Sequence, residues 1–237
     1  MLNNYIFARA NGKYQRNLVA YLSFDDNLIK DFTGNHEVKV NNNVMIDDLN
    51  HVGTGKSASF NRNSSSYLEL SQSSDFTLNS EYTISFWIRL SSLNNFEIIS
   101  KRQTTTTNLE FQFSYMSSGE LRFRLWSMDV NHYIGFNFPF SLNLSQWYHL
   151  VLTYDGSIHP NGISLYIDSL KMDLSTFYLD SNSFSGVIST EYGLKIGIGG
   201  SVNYLDGNID ELGFWKHRIF NQEDVNFIFN NGIGRKP

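Results

Sequence analysis

Apolar and polar residues alternate along most of this chain with a period of two. In LEFQFSY, Leu109, Phe111, Phe113 and Tyr115 fall on one side, and Glu110, Gln112 and Ser114 on the other. TISFWIRL repeats the pattern with Ile84, Phe86, Ile88 and Leu90. LRFRL sets Leu121, Phe123 and Leu125 against Arg122 and Arg124, and ISLYID alternates Ile163, Leu165 and Ile167. Successive side chains of a strand point to opposite faces, so these runs predict strands with one buried face. WYHLVLTY is apolar on both sides and predicts a central strand covered on both faces.

Turn residues punctuate the runs. SSGE at 117–120 predicts a hairpin, and YDGSIHPNGI joins two further strands through Gly156, Pro160 and Gly162. About a dozen strands separated by such turns predict an all-β sandwich or jelly roll. The period changes once. In NQEDVNFIFNNG, Asn221 is a good N-cap and acidic residues occupy the first turn. Val225, Ile228 and Phe229 make an apolar stripe, and Gly232 is placed to end the helix. The stripe is expected to pack on the end of the sandwich. No linker divides the chain, so one domain over 18–237 is expected, with residues 1–17 as an arm or edge strand.

Composition narrows the function classes. The 237 residues suffice for a two-layer core, and 41% are apolar and 15% aromatic. Only 17% are charged, so Asn, Ser and Thr supply much of the surface polarity, which suits hydrogen bonding to neutral polar ligands. Net charge is −5 with no long basic run, which gives no nucleic-acid footprint. There is no cysteine, which excludes disulfides, Cys-ligated zinc and thiol catalysis. No apolar run is long enough to insert in a membrane, and MLNNYIFARANGKYQR is no secretory signal.

The order of motifs resembles a known family. LVAYLSFDDNLIKDFTGNHEV is similar to the opening strand and loop of laminin-G-like, concanavalin A-like jelly rolls. GKSASFNRNSSSYLEL resembles their second block, FTLNSEYTISFWIRL the next strand, and SQWYHLVLTYDGS with GISLYIDS the central hairpin. LKIGIGG and LDGNIDELGFWKHRIFNQEDVNFIFNNG resemble the closing strands and terminal helix. Asn61 departs from the usual Asp after Ser-Phe, and Leu170-Lys171 stands where Gly is usual. The resemblance spans roughly 18–232. It implies a two-sheet antiparallel jelly-roll sandwich with a short C-terminal helix.

The resemblance also implies a structural calcium ion tying the first loop to the closing strand. Asp25 and Asp210 would supply side chains, and carbonyls around Gly34 and Asn35 the rest of a shell of six to eight oxygens. The alternative is that Asp25 and Asp26 only cap a turn. His36 is expected to be a solvated loop residue, and His149 a core or face residue rather than a base. Glycosidases on this jelly roll carry paired acids on one strand face. Asp210 and Glu211 are adjacent, so a regular strand would send them to opposite faces. Glu81, Glu97, Glu110 and Glu120 are isolated in the sequence.

The most ligand-like loop is WSMDVNHY, with Trp126, Asp129, Asn131, His132 and Tyr133, an aromatic platform beside amide and carboxylate groups. The alternative is that Trp126 and Tyr133 pack on the sheet, since Trp126 closes an alternating strand. The stretch from Tyr192 to Gly200 with Asn203-Tyr204 is a second loop edge. The expected function is a non-catalytic recognition or adhesion module, carbohydrate-binding and calcium-stabilised, whose partner is a glycan or cell-surface ligand. The alternative is a structural, phage-like component of a virion or surface fibre that contacts other virion proteins, with oligomers allowed. A glycoside hydrolase comes third. An extracellular or virion-surface location goes with the first two. Tyr5, Phe7, Arg9, Lys13, Tyr14 and Arg16 of the basic arm would anchor a partner or complete the edge.

Overall fold

A computed structural model describes residues 12–51, 55–103, 108–127, 129–199 and 203–237. Its elements begin with the short helix α1 (Gly12–Gln15), followed by strands β1 (Leu18–Leu22), β2 (Val38–Asn42), β3 (Met45–Asp47), β4 (Ser57–Phe60), β5 (Tyr67–Leu70) and β6 (Glu81–Leu90). Next come β7 (Phe96–Arg102), β8 (Leu109–Met116), β9 (Glu120–Trp126), β10 (Tyr133–Pro139), β11 (Trp147–Asp155) and β12 (Ile163–Ile167). The remaining strands are β13 (Leu170–Lys171), β14 (Tyr178–Asp180), β15 (Leu194–Ile196), β16 (Ile198–Gly199), β17 (Asn203–Tyr204) and β18 (Gly207–Lys216), followed by helix α2 (Gln222–Phe229). The excess over a dozen consists of pieces two or three residues long.

The strands form two antiparallel sheets. One runs β13-β12-β11-β6-β18-β4-β3, with β1 also on β18. The other runs β14-β10-β9-β8-β7-β15-β5-β2, and β16 and β17 pair separately. This is the expected jelly-roll sandwich. The alternating residues fill the space between sheets, as the period-two pattern requires. Ile84, Phe86 and Ile88 of the first sheet and Phe111, Phe113 and Tyr115 of the second share one core. Phe86 meets Phe113 edge-on across the sandwich, with centroids 5.9 Å apart. The SSGE hairpin forms between β8 and β9, with Gly119 at φ 80°.

Strand β11 is covered on both faces, as its sequence predicts. Tyr148, Leu150 and Leu152 point into the core, while Val151 joins a second cluster on the other side. That cluster comprises Tyr14, Val151, Tyr166, Trp215, Phe220, Val225 and Ile228. Helix α2 therefore packs its stripe on the outer face of the first sheet, not on the end of the sandwich. Asn221 caps it through a reciprocal capping box with Asp224. The helix stops earlier than expected, because Asn230 takes the left-handed conformation at φ 50°; Gly232 ends a following 3-10 turn. Trp215 lies flat across Gly213, where an added Cβ would come within 2.5 Å of the indole.

Residues 12–17 pack against this face. Tyr14 is buried, stacks on Phe227 at 4.4 Å, and receives a 2.6 Å hydrogen bond from the Trp215 indole at its carbonyl. Tyr5, Phe7 and Arg9 of the expected arm lie outside the described residues. Because Phe113 is fully buried, truncation should leave a cavity. Phe113→Ala is expected to lower unfolding free energy by about 3–5 kcal/mol in a denaturant titration.

Candidate functional site

The expected calcium ligands fall into separate places. Asn35 Nδ2 donates to the Val19 carbonyl. Val19 lies between Leu18, which faces Trp215, and Ala20, which faces Phe214. Asp210 lies beyond Phe214 by a span that matches Ile84 to Trp87 on β6, three steps or roughly 10 Å at ~3.3 Å per residue. Calcium–oxygen bonds are about 2.3–2.6 Å, so Gly34 and Asn35 cannot share an ion with Asp210. Asp210 accepts from the His51 N–H at 3.0 Å. Asp25 accepts from the Lys56 N–H at 3.0 Å and is paired with the Lys236 ammonium, which already supplies it with a positive charge. This arrangement does not fit one calcium ion bound by the four residues.

The first loop winds around Asp31 instead. Its buried carboxylate accepts from the N–H groups of Tyr21, Thr33, Asn35 and His36 and from the Thr33 hydroxyl. His36 is not solvated: its side chain is 5% exposed, packs on Phe76 at 4.5 Å, and lies 3.4 Å from Asp75.

The carboxylate pair is also arranged differently from a regular strand. Opposite β6, Asp210 faces Trp87 and Gly213 faces Ser85, so three steps on β18 match two on β6. The extra residue makes a bulge, with Glu211 at φ 52°. Ile209 and Leu212 both enter the core, leaving Asp210 and Glu211 together on the outer face. The expectation of opposite faces fails because it assumed unbroken alternation. Asp210 is fully buried and Glu211 is 6% exposed, so neither confronts a ligand in solvent.

Glu211 lines a void of about 10 Å³ with Ser85, Trp87 and His149, beneath Arg235 and Pro237. That is room for about one water. Both Glu211 carboxylate oxygens lack a hydrogen-bond partner among the described residues, and burial pushes the group well above the ordinary carboxylate range. His149 Nε2 lies 2.9 Å from the Ser85 hydroxyl, and burial, then the nearby His51, lower its pKa to about 3. His149 is a buried face residue, in keeping with its place in the central strand. Three of the four isolated glutamates find cations: Glu97 with Arg102, Glu110 with Lys101, and Glu120 with Arg122.

An open concavity lies elsewhere. A pocket of about 300 Å³ is bounded by Asn108, Ser127, Ile188, Thr190, Glu191 and Tyr192. Its strap, 188–192, has no regular structure and is pinned from below. Thr190 donates its N–H and hydroxyl to Glu110, which pairs at 2.9 Å with Lys101; both charged side chains are fully buried. Asn108 Nδ2 lies 3.4 Å from the Tyr192 hydroxyl at the rim. Ile188 is 57% exposed beside these polar groups. The pocket thus offers an amide, hydroxyls, a carboxylate, a phenol and an apolar contact.

The two loop edges noted in the sequence meet here through Ser127 and Tyr192. The WSMDVNHY loop itself is less available than its composition suggests. Trp126 is 7% exposed and pairs across strands with Tyr133, so it cannot serve as an open platform. Arg124 covers the Tyr133 ring at 5.5 Å. Asp129 accepts from the Asn131 N–H and from His132 Nδ1, both at 2.8 Å, and these bonds hold its pKa below the usual value. Only Asn131 of the five is exposed. Asn108 and Thr190 escaped sequence reasoning because 82 positions separate them and neither sits in a motif.

Glu211 is raised in the folded state, so its favourable contribution is complete below its ordinary value of 4.5 and is lost as pH rises above it. Glu211→Gln should therefore gain stability relative to wild type as pH rises from 4 to 8, read by thermal melts. His149 contributes oppositely, its stability being lost as pH falls from 6.5 towards 3. For the metal, millimolar calcium is expected to leave the melting temperature equal to that in chelator. A rise abolished by Asp210→Ala would restore the ion to the account.

The comparisons fit this architecture. The binding domain of Paraclostridial Mosquitocidal Protein 1 superposes with a TM-score of 0.69 at 22% identity, covering 91% of this chain and 52% of that one. The binding domain of botulinum neurotoxin DC, determined in complex with SialylT, gives 0.66 at 16% identity, over 91% and 52%. This chain thus spans about half the length of those toxin domains. Domain 4 of AbnA, an extracellular GH43 arabinanase from Geobacillus stearothermophilus in complex with arabinotriose, gives 0.65 at 17% identity, over 92% and 98%. No curated protein matches in sequence. The family model described as the concanavalin A-like lectin/glucanases superfamily matches residues 62–226, and the chain belongs to that family.

Proposed function

We propose that this chain is a non-catalytic glycan-binding module whose ligand enters the pocket between Asn108, Ser127 and Tyr192. The observation that carries the reading is the pocket itself. It combines neutral hydrogen-bonding groups with an aromatic ring and an exposed isoleucine, on a member of a lectin and glucanase family. Its volume suits a sugar unit or two. Half-exposed Tyr192 supplies a ring against which a sugar's C–H face packs, while Asn108, Thr190 and Glu191 reach its hydroxyls. Burial of Asp210 and Glu211 supports binding without cleavage. Among the similar structures, the AbnA domain holds arabinotriose and the neurotoxin domain was determined with SialylT, which agrees with a saccharide ligand. The setting proposed is a secreted or virion surface, where glycans are met.

The test is calorimetric titration with arabinotriose, sialyllactose and the hits of a glycan array. Tyr192→Ala is expected to weaken binding at least tenfold, about 1.4 kcal/mol. Asn108→Ala should act in the same direction, with melting temperature unchanged. Prolonged incubation should release no shorter sugar. Binding indifferent to both substitutions would remove the pocket from the account, and release of product would remove the non-catalytic reading.

A further inference from the structure

A second concavity of about 510 Å³ opens on the first sheet's side of the molecule, and its chemistry is different. It is lined by Lys13, Arg16, Asn17, His217, Arg218 and Asp224. Three permanent cations face one carboxylate, an excess of two positive charges on a chain whose net charge is −5. Positive charge concentrated in a cleft of an acidic protein focuses the field there and draws anions to it.

The single carboxylate is fully engaged. Asp224 accepts from the Tyr14 hydroxyl at 3.2 Å and from Lys13 at 2.5 Å, and lies 3.6 Å from Arg218. It also closes the capping box with the Asn221 N–H. Arg218 is spoken for as well: it donates to the Lys13 carbonyl and lies over the Tyr14 and Phe220 rings. Arg16 and His217 are exposed, and neither side chain has a hydrogen bond or ion pair among the described residues. They are donors available to a ligand.

The walls are rigid. Asn17 and His217 both hold left-handed backbone, at φ 66° and 58°. Asn17 Nδ2 bridges the carbonyls of Lys216 and His217, and the Lys216 N–H returns a 3.0 Å bond to the Asn17 carbonyl. The His217 N–H is fixed on the Glu81 carbonyl at 2.7 Å. These bonds hold both residues in place and fix the shape of the wall.

We propose that this pocket binds a phosphate monoester on a sugar-sized molecule. The excess of two positive charges matches the charge of about −1.5 to −2 on such a group near neutral pH. The planar guanidinium of Arg16 suits the paired oxygens of phosphate, with the exposed His217 ring as a second donor. The volume exceeds what inorganic phosphate needs and lies within the range of small-molecule sites. This site lies on elements other than those of the Asn108–Tyr192 pocket and stands or falls independently of it.

Isothermal titration at low salt with glucose 6-phosphate tests it, with glucose as the uncharged control. Arg16→Ala and His217→Ala are each expected to weaken binding at least tenfold. Because neither side chain supports the fold, their melting temperatures should match wild type. Amide resonances of 13–17 and 216–218 should shift on addition of the ester, and affinity should fall as salt rises. Equal affinity for glucose, or binding unaffected by both substitutions, overturns the assignment. So does binding confined to vesicles bearing a phosphate monoester headgroup, with none of the soluble ester, since that would make the site a membrane contact.

Discussion

The ten-residue strand β18 is the constraint on which the rest of the structure depends. On one side it pairs with β6, from Gly207 opposite Leu90 to Lys216 opposite Tyr82. On the other it pairs first with β4, through Gly207 to Ile209, and then with β1, through Leu212 to Trp215. One segment near the C-terminus thus holds the opening strand, the second block and the long central strand in a single sheet. The bulge at Asp210–Gly213 falls where the partner changes from β4 to β1. A bulge increases local twist and re-aims side chains, which lets one strand serve two neighbours. Its inward residues, Ile209, Leu212 and Phe214, enter the main core. Its outward Trp215 anchors the second cluster beneath helix α2 and fixes Tyr14.

Buried charge is handled in two ways. Lys101–Glu110 and Arg102–Glu97 are neutralised in place, and the first of these also pins the strap that closes the candidate glycan pocket. Desolvating two charges offsets much of their attraction, so such pairs do more to fix geometry than to stabilise. Among the described residues Glu211 has no ion pair and no hydrogen bond, and it sits beside a neutral histidine in a water-sized void. Burial pushes its pKa well above the ordinary carboxylate range, because a desolvated carboxylate is more costly than the neutral acid.

The two concavities divide the surface chemically. The pocket at Asn108 and Tyr192 presents mainly hydroxyl, amide and aromatic groups, and that at Arg16 and His217 presents cations. Both sit on irregular segments clamped to a rigid sandwich, which is where a scaffold of this kind carries its specificity.

Period-two alternation by itself determined the strands of the core, because a side chain's face follows from its parity as long as pairing is regular. The apolar stripe and the N-cap determined helix α2 and its start, since Asn221 and Asp224 interact within a single turn. The family order of motifs determined the sandwich. Only the tertiary structure decided where parity breaks. The bulge that puts Asp210 and Glu211 on one face arises from a change of neighbouring strand, and nothing within NIDEL records it. It also decided which aspartate organises the first loop: Asp25 and Asp31 look alike in sequence, but only Asp31 lies under the turn N–H groups of Thr33 to His36. Both pockets join residues far apart in the chain, Asn108 with Tyr192 and Arg16 with His217. Local periodicity is short-range and cannot encode such meetings; pairing and burial across the whole sandwich do.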